Sequence, residues 1–143
     1  MTVKPSQNMI FDISVPVVIV GGGAAGMVAA LSLADAGISP LILERDPVPS
    51  GSTGLSSGMV PACGTKIQAA EGVDDSVNIL SRDIIEKAHG EVDRAIVEVV
   101  CAASGPAIDW LVEAHAIELT LVGGFLYPGH SRLRMHAPPS RQG

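Results

Sequence analysis

At 143 residues the chain is long enough for one domain and too short for two comfortable ones. Fifteen acidic residues against nine basic ones give a formal charge of −6, and aromatic residues make up only 3%, so both a basic stripe and an aromatic stacking platform for nucleic acid are excluded. Mean hydropathy is +0.38 with 17% charged residues, yet no apolar run approaches the roughly 18 residues that span a bilayer, which marks many residues as built for burial.

Residues 1–14 read as a flexible leader. They hold one lysine and no apolar core, a pattern unlike a secretory signal, so a reducing cytoplasm is the expected compartment. "VPVVIV" (Val15 to Val20) is a β-branched run ending in glycines, the pattern of a buried parallel strand, with Pro16 tolerated only near its start. Met27, Leu31 and Ala34 fall on one face of a predicted helix over Ala24–Asp35, which Gly37 stops. "LILE" (Leu41 to Glu44) is a second buried strand, so the order is strand, glycine turn, helix, strand. This is a βαβ unit with a right-handed crossover.

From Pro47 to Gly64 the composition changes. Gly51, Gly54, Gly58 and Gly64 alternate with Ser50, Ser52, Ser56 and Ser57. A flexible linker would be similar, but Leu55, Met59 and Val60 are poor linker residues, so the spacing predicts an ordered loop lying close to something.

The remainder, 65–143, reads as mostly helical. Asp74, Asp75 and Ser76 offer N-cap chemistry for a helix to about Ala88, stopped by Gly90. Val92, Ala95, Ile96, Val99 and Val100 recur at helical spacing in the next segment. Ser104, with Pro106 just behind it, opens a third helix carrying Ile108, Trp110, Leu111 and Ala114. Beyond Leu119 the pattern is loop-like. Cys63 and Cys101 form no CxxC pair and, with four scattered histidines, give no metal-ligand spacing; they read as small buried residues. Trp110 reads as core, and His89 as a cation at a helix C-terminus.

The chemistry lies in Gly21-Gly22-Gly23-Ala24-Ala25-Gly26, which fits GxGxxG. Gly21 allows the sharp turn, Gly23 allows close approach to a pyrophosphate, and Gly26 lets helix and strand pack closely. The pyrophosphate would sit at the helix N-terminus. Glu44, 23 residues after Gly21 at the tip of the second strand, is placed to hold a ribose 2′-hydroxyl and would repel a 2′-phosphate. These residues alone leave FAD and NAD both open.

The stretch Val15 to Gly64 resembles the FAD-binding start of the fumarate reductase/succinate dehydrogenase flavoprotein family, which includes aspartate oxidases, soluble fumarate reductases and 3-ketosteroid dehydrogenases. The resemblance rests on "GGGAAG", "LILERD" and "SGSTGLSSGM" in that order, and "AIDWLVEAHAIEL" from Ala107 resembles the family's stretch that leads to a capping domain. It implies an α/β fold: a Rossmann-like βαβ segment followed by helices, an incomplete domain whose remaining strands would come from sequence after residue 143.

By the same resemblance, Gly21, Gly23, Ala24, Ala25 and Gly26 would line the FAD pyrophosphate, Glu44 the adenosine ribose, and Arg45 the adenine. Ser52, Thr53 and Gly54 would approach the pyrophosphate or ribityl chain, and Ser57 and Gly58 the isoalloxazine. Relatives with covalent FAD carry a histidine in the second loop; here there is none, which implies non-covalent FAD. Pro40 departs from the β-branched residue usual there, and His115 from a common glycine.

The family's substrate and proton-donating residues lie further along its sequence, so no catalytic residue is assigned, and His130 and His136 are not taken as acids or bases; His136 reads as structural. The expected function is FAD binding as the N-terminal portion of a flavin-dependent oxidoreductase acting on a small-molecule substrate, with electron donor or acceptor unassigned. The chain alone is expected to be inactive. The competing readings are an NAD-binding module and a non-enzymatic helical interaction piece.

Overall fold

The protein is described here from a computed structural model covering residues 10–49 and 51–142. The first nine residues of the leader, Ser50 and Gly143 lie outside the described residues. Two compact units divide between Thr53 and Gly54, within the second glycine loop.

In the first unit the apolar runs flanking the glycine turn fold as their pattern dictates. Strand β1 (Val18–Val20) pairs in parallel with β2 (Leu41–Leu43), Ile19 opposite Ile42, and helix α1 (Ala24–Asp35) connects them. The ladder continues past both ends: Leu41 N–H donates to the Val17 carbonyl at 3.0 Å and Gly21 N–H to the Leu43 carbonyl at 2.8 Å. Gly37 takes a φ of +73° beyond the end of α1, and its N–H and that of Ile38 satisfy the carbonyls of Ala34 and Leu33. That is the glycine stop read from the sequence.

The strands are parallel as expected but they are not buried. Val18 is 50% and Val20 84% exposed, and α1 buries no residue. A sheet of two short strands under one helix is too small for either face to be enclosed, so the apolar side chains remain accessible.

The second unit holds strands as well as the helices read from its sequence. Strands β3 (Val60–Pro61), β4 (Thr120–Leu121) and β5 (Met135–Ala137) form an antiparallel sheet in the order β3-β5-β4, with His136 opposite both Val60 and Leu121. Strands of two or three residues carry no readable alternation, and this sheet replaces the loop expected after Leu119. A short helix α2 (Lys66–Ala70) was also not anticipated. A reciprocal cap starts it, with Gln68 N–H donating to Thr65 Oγ1 at 3.0 Å and Thr65 N–H to Gln68 Oε1 at 3.2 Å.

Helix α3 (Val77–Lys87) is capped by Ser76 as read, and Gly90 follows at φ +81°. Helix α4 (Arg94–Glu113) overturns the expected pair of helices, for it runs unbroken through Ser104 and Pro106. Asp93 Oδ1 caps it by accepting from Ala95 N–H at 2.9 Å. Ser104 does not act as a cap; its hydroxyl donates to the Cys101 carbonyl one turn back at 2.9 Å. Much of the steric objection to a residue before proline comes from its Cβ, and the residue before Pro106 is Gly105, which has none. Gly105 also seats α4 directly on the chain at Cys63, where a Cβ would stand 2.3 Å from the Cys63 carbonyl oxygen.

By length and composition α4 is long and apolar enough to cross a bilayer, contrary to the expectation that no stretch of the chain is; it packs on α3 and on the Cys63 backbone. One cluster gathers Cys63, Leu80, Val97 and Cys101 with Ile84 and Val92; another gathers Val122, Met135 and Ala137 with Met59. Both cysteines are buried and free, and burial pushes the Cys63 thiol up. Trp110, expected in the core, is only half-buried and lies edge-to-face against His115 with ring centres 4.4 Å apart.

Candidate nucleotide site

The glycine turn follows from backbone geometry. Gly21 holds φ +106°, a conformation that side chains with a Cβ rarely adopt. A Cβ on Gly26 would lie 2.1 Å from the Gly21 carbonyl oxygen and 3.2 Å from Ile19 Cγ2, so only glycine lets α1 leave the strand at this angle. Gly23 occupies the N-cap of α1 without a side chain to satisfy the first turn. The N–H groups of Ala24, Ala25 and Gly26 therefore open a helix whose own geometry gives them no intrahelical acceptor.

Glu44 stands just past β2 with its carboxylate turned back onto this turn. Gly22 N–H donates to Glu44 Oε2 at 2.6 Å, and Asp46 N–H donates to Oε1 at 3.1 Å. The bond from Asp46, then that from Gly22, holds the carboxyl below its ordinary range against a small cost of burial. Thr53 approaches from the second glycine loop, and its Oγ1 accepts from Ala24 N–H at 3.1 Å.

Gly21, Gly22, Gly23, Ala24, Glu44 and Thr53 thus form one constellation within the first unit, with Ala25 and Gly26 in the adjoining turn of α1. Ser52 is exposed beside Thr53. Arg45 is 90% exposed in its side chain and pairs with Asp46 at 3.2 Å, which raises its pKa. Gly54, Ser57 and Gly58 belong to the second unit. There Gly58 has φ +63°, and a Cβ would stand 2.8 Å from the Gln142 carbonyl oxygen, so its identity follows from local packing.

Gly22 was missed by the sequence reading. It fills a variable position of GxGxxG, yet it is buried and supplies the N–H that fixes Glu44. The signal available was the run of three consecutive glycines.

The second unit contains a buried polar network. Arg134 Nε and Nη2 donate to Asp75 at 2.6 and 2.9 Å, and Nη1 donates to Asp83 Oδ2 at 2.5 Å. Ser131 adds its N–H and hydroxyl to the same Asp83 oxygen at 2.7 and 2.8 Å. Burial works to raise the Asp83 pKa, but Arg134 and Ser131 outweigh it and hold the carboxyl at about 2. Gln68 bridges Asp75 and the Leu133 carbonyl.

His136 is fully buried, with Nε2 2.9 Å from Thr65 Oγ1 and Nδ1 2.8 Å from the Arg134 carbonyl. Nδ1 must carry the proton, because a carbonyl can only accept. Burial lowers the His136 pKa, and the side chain ties β5 to the α2 cap. Burial, followed by the charge of Arg134, also lowers that of His130. Among the described residues no three His, Cys, Asp or Glu side chains gather as a metal-binding group. A shallow groove between α3 and α4, lined by Val77, Ser81, Arg82, Ile85, Arg94 and Glu98 among others, includes none of the predicted site residues.

In the first unit, the donor set suits a dinucleotide. Main-chain N–H groups and the positive end of α1 suit a pyrophosphate, and an exposed carboxylate just beyond β2 suits a vicinal diol. The tight Gly26 contact and the positive φ of Gly21 are the backbone features that such a turn requires.

The chain matches the model of the FAD binding domain family over residues 16–140. It is 34% identical over 130 residues to a fumarate reductase (cytochrome) of Shewanella frigidimarina, covering 91% of this chain and 22% of that one. It is 33% identical over 129 residues to a urocanate reductase of Eggerthella lenta, covering 90% and 21%. The open conformation of a flavocytochrome c3 fumarate reductase superposes with a TM-score of 0.75 at 26% identity, covering 90% of this chain and 23% of the other. The chain spans about a fifth of the length of the curated relatives it matches.

Proposed function

The chain belongs to the FAD binding domain family, and on that premise we propose that it is the nucleotide-holding portion of a flavin-dependent oxidoreductase of the fumarate reductase type. The observation that carries this reading is the Glu44 carboxylate fixed on the Gly22 N–H, beside the N-terminus of α1. Gly21, Gly23, Ala24, Ala25 and Gly26 would meet the pyrophosphate, Glu44 the adenosine ribose, and Ser52, Thr53 and Gly54 the pyrophosphate or ribityl chain. Arg45 would flank the adenine. Ser57 and Gly58 would approach the isoalloxazine. FAD would be held without a covalent bond, since residues 51–58 contain no histidine.

When bound, the flavin supplies hydride exchange between its N5 and a substrate carbon. The named relatives reduce fumarate and urocanate, both small acids with a conjugated carbon–carbon double bond, and a substrate of that class is the one proposed for the intact protein. This chain contributes binding and orientation of the cofactor. Because it spans about a fifth of those relatives, it is expected to hold flavin without turning over substrate.

The test is to purify the chain at neutral pH with added FAD, desalt it, and record its visible spectrum before and after acid precipitation. A flavin band that stays with the protein and is released by acid supports non-covalent FAD. Folded protein that retains no flavin overturns the reading and favours an NAD module or a helical interaction piece.

A further inference from the structure

Both oxygens of Glu44 are committed to the main chain before any nucleotide arrives, Oε2 to Gly22 N–H and Oε1 to Asp46 N–H. A side chain serving only to receive ribose hydroxyls needs neither bond. The contact from Gly22, at 2.6 Å, sets a main-chain N–H against a carboxylate oxygen, an acceptor whose charge strengthens the bond. The fit at Gly22 is also tight, for a Cβ there would lie 3.0 Å from Glu44 Oε2. The donor belongs to the residue between Gly21 and Gly23, so the bond fixes the peptide planes of the turn itself.

We infer that Glu44 is a positioning residue for the phosphate-binding turn as well as a ribose ligand: it clasps Gly22 and thereby presets the path from β1 into α1. The inference rests on the nucleotide-binding reading of this site. Each carboxylate oxygen has a second lone pair, so a ribose diol can be received while the clasp stays closed. The clasp then couples the two recognition events, because the group that reads the sugar also holds the turn that meets the pyrophosphate.

A ligand and mutant cycle separates the two roles. Binding of ADP and of 2′,3′-dideoxy-ADP is measured by calorimetry for the wild-type chain and for Glu44→Gln, which keeps the size but can accept at only one oxygen. The dideoxy nucleotide has no ribose hydroxyl for Glu44 to hold. The clasp predicts that Glu44→Gln still weakens the dideoxy nucleotide, by about tenfold, the scale of one charge-assisted hydrogen bond. A loss seen with ADP and absent with the dideoxy nucleotide overturns it.

If the wild-type chain binds neither nucleotide, the functional reading fails and the clasp is judged in the free protein by amide NMR. Gly22 and Asp46 N–H resonances that shift together as Glu44 is protonated uphold it. A Gly22 resonance indifferent to that titration overturns it, whether or not the variant folds.

Discussion

Arg134 and Asp75 meet in a two-point ion pair, Nε and Nη2 each donating to one carboxylate oxygen, with both side chains fully withdrawn from solvent. The third contact, to Asp83, makes Arg134 the joint between the segment leading into β5, the loop before α3, and α3 itself. Removing one member of such a group leaves charge buried without its partner. Arg134→Ala is expected to lower the stability of the second unit by about 3–5 kcal/mol. Arg134→Lys should restore little of it, since an ammonium cannot match the two-point geometry. Urea denaturation of the three proteins gives the comparison; a wild-type midpoint in the lysine variant would refute the argument.

The same group sets a response to acid. The native Asp83 pKa of about 2 lies below its ordinary 3.8, so the unfolded chain binds the proton more readily. The contribution is fully present above about pH 4 and is lost as pH falls towards about 2. Stability should therefore rise with pH across that window. In Asp83→Asn the slope should be shallower, which urea midpoints collected from pH 2 to 6 would reveal.

Gly26→Ala should damage the first unit and its cofactor site together. Its Cβ would be placed 2.1 Å from the Gly21 carbonyl oxygen, a contact that only a shift of α1 can relieve. A cost of about 3 kcal/mol and loss of retained flavin are expected. Normal flavin retention by this variant would show that the turn is more compliant than its geometry requires.

Neighbouring residues of α4 should respond in opposite directions. Gly105→Ala drives a methyl group into the Cys63 carbonyl and should destabilise by about 1–3 kcal/mol. Pro106→Ala returns a main-chain donor to an exposed position inside the helix and should stabilise by about 2 kcal/mol, after allowance for a looser unfolded chain. Thermal denaturation of both, measured alongside wild type, checks the signs.

Thr53→Val removes the hydroxyl that accepts from Ala24 N–H while keeping the β-branched shape. About 1 kcal/mol of α1 capping should be lost, and Thr53→Ser should recover most of it. Helical circular dichroism on heating provides the readout.

The first unit was legible in the sequence because each of its elements is announced by a strong local signal. A β-branched run, a glycine turn and an alanine-rich helix with a terminal Gly37 leave little freedom in the order β1, α1, β2. Burial was not legible in the same way, since Val20 looks like a core residue whether or not anything covers it. The second unit resisted for different reasons. Pro106 ordinarily ends a helix, and its tolerance depends on Gly105 and on the seat at Cys63, a partner distant in sequence. Strand β5 reads "MHA", and its anchors Arg134 and His136 are polar residues buried only because Asp75, Asp83 and Thr65 come to meet them. At the site, GxGxxG marked the turn and spacing found Glu44. The Glu44–Gly22 bond was invisible because the motif treats Gly22 as interchangeable.

Helix α1 buries none of its residues, and the strands beside it stand largely open. Amide hydrogens there should exchange with solvent far sooner than those in the α3–α4 core, because little must be undone to expose them. A ligand that grips the glycine turn would change this by mass action, slowing exchange in proportion to how far its concentration exceeds its dissociation constant. In this half of the molecule the cofactor would serve as part of the hydrophobic and electrostatic interior that the polypeptide does not provide by itself. Order in α1 would then report occupancy of the site, readable residue by residue without any colour or catalysis.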